Sequence, residues 1–267
     1  MQAPTLQPVS PRKGVPWSTT DAIVGTVLTL VPLLALDAVN ALLAGSTGGT
    51  LPKLTFQQDL QAAILTFIIT SVLEAVFLIA PIYYARRRTA HAIGMTMEPQ
   101  QMPVARAESP AEALGLRGFN PALALGLLVL SGAGFIILSD LYSAVAQKLN
   151  FNAPTNLEQL TQQLHQEPLV IYATLAAGVL VAPICEEIFF RGFLLPGLQK
   201  SMPAWLAIVI TSLIFAAAHA SPGSFVLLFI LAIFLGMMRV ATGSIWPGVI
   251  LHMANNAIGL IVVLTMK

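Results

Sequence analysis

Long apolar runs alternate with short polar, Pro- or Gly-bearing breaks along this chain, and the length of the runs decides its class. Ala22 to Ala44 and Leu60 to Ala85 each hold the roughly 20 residues that cross a hydrocarbon core, and a third run covers Ala122 to Val145. After a polar stretch from Gln147 to Glu167, the rest of the chain is almost continuously apolar. Breakers cluster at Pro168, at Ser201-Met202-Pro203, at Ser221-Pro222-Gly223 and at Thr242-Gly243-Ser244. They divide it into predicted helices over 168–200, 203–220, 224–241 and 245–265. In lipid only helices or closed barrels satisfy the backbone, and these runs are far too long for barrel strands. The pattern therefore predicts an all-α, polytopic integral membrane helical bundle of seven or eight transmembrane helices.

Three regions follow. Residues 1–20 carry Pro4, Pro8, Pro11 and Pro16 with Arg12 and Lys13, and read as a Pro-rich tail. Residues 21–145 form an N-terminal three-helix membrane part, with a linker over 89–118 that ends in Leu114-Gly115-Leu116-Arg117. Residues 168–265 form the C-terminal membrane core. The first run exceeds the roughly 7–15 apolar residues of a signal peptide, which favours a retained span over cleavage near Ala41-Leu42-Leu43-Ala44-Gly45. The second ends at Arg86-Arg87-Arg88; by the positive-inside rule that end, and with it the N-terminus, is expected to be cytoplasmic.

Composition strengthens this picture and removes several functions. The chain is 56% hydrophobic and only 9% charged, against roughly a quarter charged in soluble proteins. A net charge of +1, without basic runs interleaved with aromatics, argues against a nucleic-acid partner. The single cysteine, Cys185, excludes an intramolecular disulfide framework, a thiolate zinc cage and a paired-thiol redox motif. As a nucleophile it is disfavoured by the adjacent carboxylate, and it reads as a small buried residue.

Ionisable groups inside apolar runs each cost about 2.5–3.5 kcal/mol at a helix centre and call for a reason. Residues 182–192 place Glu186, Glu187 and Arg191 in one apolar helix; Phe215 and His219 follow, then His252, Asn255 and Asn256. Glu187 and Arg191 are i,i+4 with the acid first, so they can pair on one face. Glu186 lies about 100° around the helix, which leaves it free for work; the bland alternative has both acids merely neutralising Arg191. His252 and Asn256 are also i,i+4, whereas Asn255 points elsewhere and reads as a helix-packing amide. Counting from the turn near residues 201–203 puts Glu186 and His219 at similar depth, but places His252 toward the opposite side unless a helix is short or broken.

In series, Glu186-Glu187-Ile188-Phe189-Phe190-Arg191, Phe215 to His219 and His252 to Asn256 resemble the CPBP family of intramembrane proteases, which includes the type II CAAX prenyl endopeptidases and the bacterial Abi proteins. The approach Thr242-Gly243-Ser244-Ile245-Trp246-Pro247 also looks like that family, and the resemblance covers about residues 168–260. It implies an intramembrane endopeptidase of a bacterial cell membrane, acting on a membrane-anchored peptide or protein, prenylated or otherwise tethered, with the bilayer as its surroundings. Glu186 would be the general base, His219 would help to hold and polarise the attacking water, and His252 and Asn256 would form an oxyanion hole. Glu187 and Arg191 would shape the site and Phe215 would pack against it. No cofactor is expected on this reading. A zinc-dependent version would use Glu186, His219 and His252 as ligands, since three N/O ligands and a water make a common catalytic zinc shell; Asn256 suits an oxyanion hole better than a zinc ligand.

Rivals are fewer. His-Glu-x-x-His, Gly-x-Gly-Asp and Gly-x-Ser-Gly do not occur, so other intramembrane protease chemistries lack their residues. A proton-coupled carrier would need intramembrane carboxylates such as Asp37 or Glu74, with Asn40 and Asp140 as further polar positions. A non-catalytic scaffold or immunity protein of the same fold would need none of the site residues. His91 and His165 read as solvated surface residues, and Trp17, Trp205, Trp246, Tyr83 and Tyr84 as an aromatic belt.

Overall fold

A computed structural model of the chain describes residues 15–46, 55–95, 109–151, 153 and 168–265. The side chains of Asp37, Asn40, His91 and His165 lie outside the described part. Every described element is helical. Helix α1 is Thr19–Ser46, α2 Phe56–Ala75, α3 Ile79–Met95, α4 Pro110–Ala113 and α5 Pro121–Lys148. Helices α6 (Pro168–Leu180), α7 (Ala182–Glu187), α8 (Leu195–Leu198), α9 (Ala204–Ala218), α10 (Phe225–Thr242) and α11 (Trp246–Thr265) follow. Five crossings are long and apolar enough to span a bilayer, and Ala204–Ala218 and Trp246–Val262 are shorter apolar helices. Among the described residues this is a seven-crossing helical membrane bundle.

Local chemistry starts the N-terminal helices. Thr55 and Gln58 form a reciprocal capping box on α2, Ser109 and Glu112 one on α4, and Asn120 caps α5 ahead of Pro121, each satisfying backbone N–H groups that have no partner in the first turn. Through a 3₁₀ turn at Val76–Leu78, α2 runs on into α3. That helix continues past Arg86-Arg87-Arg88 to Met95: arginine ends an apolar run without ending a helix, because it is itself a good helix former.

The stretch 168–200 departs most from the single helix expected. It is one crossing in four pieces: α6, α7, a seven-residue π-helix at Ile188–Leu194, and α8. Pro183 and Pro196 fall in the first turns of α7 and α8, where a missing N–H is tolerated but the preceding ladder is interrupted. Between them the wider π turns carry Arg191 and the aromatic residues Phe189, Phe190 and Phe193, all buried.

End-to-end contacts fix the order of crossings. Arg88 donates to both carboxylate oxygens of Asp21 at 2.7 and 3.1 Å, and the Thr19 hydroxyl to the Gly197 carbonyl at 2.8 Å. Hence the start of α1, the Arg88 level of α3 and the end of α8 share one face of the bundle. The following crossings alternate, so α11 ends on the opposite face from Trp17.

Two segments expected outside the core belong to it. Trp17 is fully buried; its Nε1 donates to the Phe193 carbonyl at 3.0 Å and its ring lies 5.3 Å from that of Phe193. It is thus a core anchor rather than a belt residue, because its one polar atom finds a carbonyl exposed by the π-helix. Tyr84 likewise stacks on Phe193 at 5.6 Å, whereas Tyr83, Trp205 and Trp246 are exposed. The end of the linker is also built in. Ala113 and Leu114 are buried, the Gly115 carbonyl accepts from Ile245 N at 3.0 Å, and the Arg117 carbonyl from Ser244 Oγ at 2.7 Å. One hydrophobic core accordingly joins Trp17, Ala22, Leu114 and the Phe189–Phe193 segment.

Candidate active site

The polar motifs of the C-terminal core meet where α7, the π-helix, α9 and α11 approach one another. Glu186 is 8% exposed, Glu187 0%, Arg191 1% and His252 2%, a density of buried charge that survives only if its members pair. Arg191 Nη1 donates to Glu187 Oε1 at 2.7 Å, and Nη2 to the Ala232 carbonyl of α10 at 3.1 Å. The i,i+4 spacing thus produces the clamp expected of it, and the guanidinium also ties the motif to a second crossing. Its remaining face lies 4.7 Å from the Phe215 ring centroid, a cation–π arrangement.

His252 enters from α11 between the two acids, with Nε2 3.7 Å from Glu186 Oε2 and Nδ1 3.5 Å from Glu187 Oε1. Those separations are ion-pair distances, longer than hydrogen bonds. Glu186 Oε2 and Glu187 Oε2 are buried with no hydrogen-bond partner within the protein. Glu187 is thus committed to Arg191 through its other oxygen, while Glu186 faces His252 with a carboxylate oxygen to spare.

His252 reaches this level because the α10–α11 junction docks high on the broken crossing. Arg239 Nε donates to the Arg191 carbonyl at 3.0 Å. A Cβ on Gly192 would stand 2.6 Å from the Leu114 carbonyl oxygen, in the segment that also binds Ser244 and Ile245. The junction therefore sits beside Arg191 and Gly192 rather than at the 201–203 turn, which resolves the depth mismatch. Gly248 completes the approach: a Cβ there would lie 3.0 Å from Glu187 Oε2. Arg239, Gly192 and Gly248 carry no motif signal that single-sequence reading could have weighed.

His219 sits at the end of α9, joined to the cluster through Phe215 rather than through Glu186. Its Nδ1 lies 2.8 Å from the Phe215 carbonyl, and the two rings are 4.7 Å apart. Phe215 also meets His252 at 5.6 Å and Phe190 at 5.1 Å, so it is the hub on which both histidines and Arg191 rest. With Nδ1 engaged on a carbonyl, Nε2 is the nitrogen left for a ligand. Ala220, immediately after His219, takes a φ of +48°, an uncommon left-handed turn for a non-glycine residue. Beside it an apolar cleft of about 850 Å³ is lined by Tyr142, Leu149, Phe151, Ala217, Ala220 and Phe225, among others.

One turn beyond His252, Asn256 Nδ2 donates to the Gly178 carbonyl of α6 at 2.9 Å, and its Oδ1 accepts from Asn255 Nδ2 at 3.2 Å. Asn255 therefore turns toward Asn256 instead of away from it, because the neighbouring amide offers the acceptor it needs. These two bonds orient the Asn256 amide and leave it one further N–H. Of the other polar positions, Asp140 is exposed on α5. A zinc site would need Glu186, His219 and His252 to converge. Among the described residues no three His, Cys, Asp or Glu side chains form a group able to hold a metal ion.

Fold and cluster together define a polytopic helical membrane protein with a charged, enzyme-like site enclosed in its C-terminal crossings. Residues 168–258, which hold every one of these motifs, match the family described as type II CAAX prenyl endopeptidase Rce1-like. A protein of Escherichia coli described as an uncharacterized 24.3 kDa protein is 31% identical over 96 residues, covering 34% of this chain and 44% of that protein. The chain thus spans less than half the length of this curated relative. No solved structure matches the chain. The family match supports a membrane endopeptidase in general terms.

Proposed function

We propose that the C-terminal crossings form a metal-free intramembrane endopeptidase that cleaves a membrane-tethered peptide with a glutamate-activated water. The observation that carries this reading is the division of labour between adjacent acids: Glu187 accepts from Arg191 at 2.7 Å through Oε1, while Glu186 has no arginine of its own and turns a buried Oε2 to His252 at 3.7 Å without a hydrogen bond. Glu186 takes a proton from water, and the resulting hydroxide adds to the scissile carbonyl. His219 Nε2 helps to hold that water. The tetrahedral oxyanion is met by His252 and by the free N–H of Asn256, the latter held in advance by its bonds to Gly178 and Asn255 and so needing little reorganisation. Glu186 then passes its proton to the departing amine, and the C–N bond breaks. Glu187, Arg191 and Phe215 position these groups. The apolar cleft beside His219 receives the apolar part of the substrate, prenyl or otherwise, and the arginine cluster at 86–88 supports a cytoplasmic N-terminal face by the positive-inside rule.

The test uses purified full-length protein in lipid vesicles with a membrane-tethered peptide substrate. Glu186→Gln, which keeps size and removes the base, is expected to lower cleavage by about 10²-fold or more, the contribution typical of a positioned base. Wild-type cleavage by that variant would overturn the glutamate mechanism. A strong chelator should leave the wild-type rate unchanged; loss with chelator and recovery with zinc would restore the metal reading.

A further inference from the structure

We propose that Glu74, on α2 and outside the matched family region, is a positioning residue for Glu186, sharing a proton with its carboxylate across the α2–α7 contact. The inference rests on the reading of Glu186 as the base. Helix α2 packs along α6 and also touches α7, and the register is set one turn later. Phe77 meets the Phe189 ring edge-on at 5.2 Å and the Phe190 ring at 6.1 Å. Because α2 and the 168–198 crossing run in the same direction, stepping back one turn from these contacts puts Glu74 at the level of Cys185 and Glu186.

Each acid has one buried oxygen, Oε2, without a hydrogen-bond partner, and Glu186 is 8% exposed. Among the described residues no salt bridge reaches Glu74. Arg191 is taken by Glu187 and the Ala232 carbonyl, and His252 faces Glu186 and Glu187 from α11. Neighbouring carboxyls in apolar surroundings resolve their repulsion by holding one proton between them. A neutral Glu74 carboxyl would donate a hydrogen bond to Glu186, fixing the orientation of the base without consuming its charge.

Two arms test this on the full-length protein. Since Cys185 is the single cysteine of the chain, Glu74→Cys adds the only possible intramolecular partner. Mild oxidation is expected to form a 74–185 disulfide, detected as a linked peptide by mass spectrometry; its absence would remove the apposition and the proposal with it. In the cleavage assay, Glu74→Leu is expected to lower kcat about tenfold, the scale of one hydrogen bond to a charged group, with KM unchanged and a displaced pH–rate profile. Glu74→Gln, which retains a donor, should restore most of the rate, as a purely structural role would not require. If Glu74→Leu keeps the wild-type kcat and pH profile while Glu186→Gln is inactive, the positioning role is wrong and the base assignment stands. If Glu186→Gln itself cleaves normally, both fall.

Discussion

Helix α5 and the broken crossing at 168–198 are both apolar and both long enough to span a bilayer, yet they use their residues in opposite ways. Along α5, Leu125, Val129, Leu130, Ile136, Ile137 and Leu141 are exposed while Ala124 and Ser131 are buried. Along the broken crossing, everything from Cys185 to Leu195 is buried, both acids and the arginine included. In water such a distribution would be perverse; in lipid, where tails are as apolar as leucine, large side chains can face outward and packing falls to small and polar residues. The difference teaches that hydrophobicity alone does not mark the inside of this molecule: the broken crossing buries its charges within a Phe-rich core, while large apolar side chains face outward on α5.

The contrast breaks most violently at Arg191. Arg191→Met leaves the Glu187 carboxylate buried without its cation, and removing one partner of such a pair costs about 3–5 kcal/mol. A large fall in the thermal or denaturant midpoint in detergent micelles would register it. Pairing the change with Glu187→Leu removes the orphaned charge and should recover most of the loss. Equal destabilisation in single and double variants would mean that the guanidinium matters through Ala232 and Phe215 rather than through the ion pair.

A smaller break is expected at Gly192. Its missing Cβ lets the Leu114 carbonyl approach to a point where an added carbon would stand 2.6 Å away, and a backbone oxygen cannot swing aside. Gly192→Ala should cost about 1–3 kcal/mol, as overpacking does, and expose the 109–118 segment to limited proteolysis. Gly178→Ala, with nothing within 4 Å of the new carbon, is the control and should be neutral. Gly248→Ala probes the same idea more gently. Its Cβ would press on Glu187 Oε2 at 3.0 Å, a movable group, so stability should change by about 1 kcal/mol or less. Cleavage should fall about tenfold, because small misplacements at a site are amplified in rate. A stability loss without a rate loss would separate Gly248 from the chemistry.

These positions also show what the sequence could and could not reveal. The crossings were legible because run length and Pro/Gly breaks are local properties, and the Glu187–Arg191 clamp because i,i+4 spacing is geometry that a helix imposes by itself. The π-helix was not, since Pro183 and Pro196 announce interruption without saying how the turns between them widen. Trp17 was hidden by its Pro-rich surroundings: its partner, the Phe193 carbonyl, is 176 residues away. The level of His252 depends on Arg239 and on the Leu114–Arg117 segment, two contacts of high sequence separation. Glu74 was visible as an intramembrane acid, but its level relative to Glu186 is set by the packing of α2 and Phe77 against the broken crossing.

The gentlest test lies on the other side of the comparison. Leu130 is 71% exposed on α5, so Leu130→Ala removes little that the protein itself packs against, and lipid or detergent fills the space. The midpoint of unfolding should move by no more than about 0.5 kcal/mol, as for substitutions away from packed sites, and cleavage should be unchanged. The result has value because the same truncation in the core, at Phe215, should cost about 3–5 kcal/mol. A loss of that order at Leu130 would show that the outer face of α5 is covered by protein in the membrane, a second copy or a partner. The line between lipid-facing and core helices would then have to be redrawn around an assembly rather than around this chain.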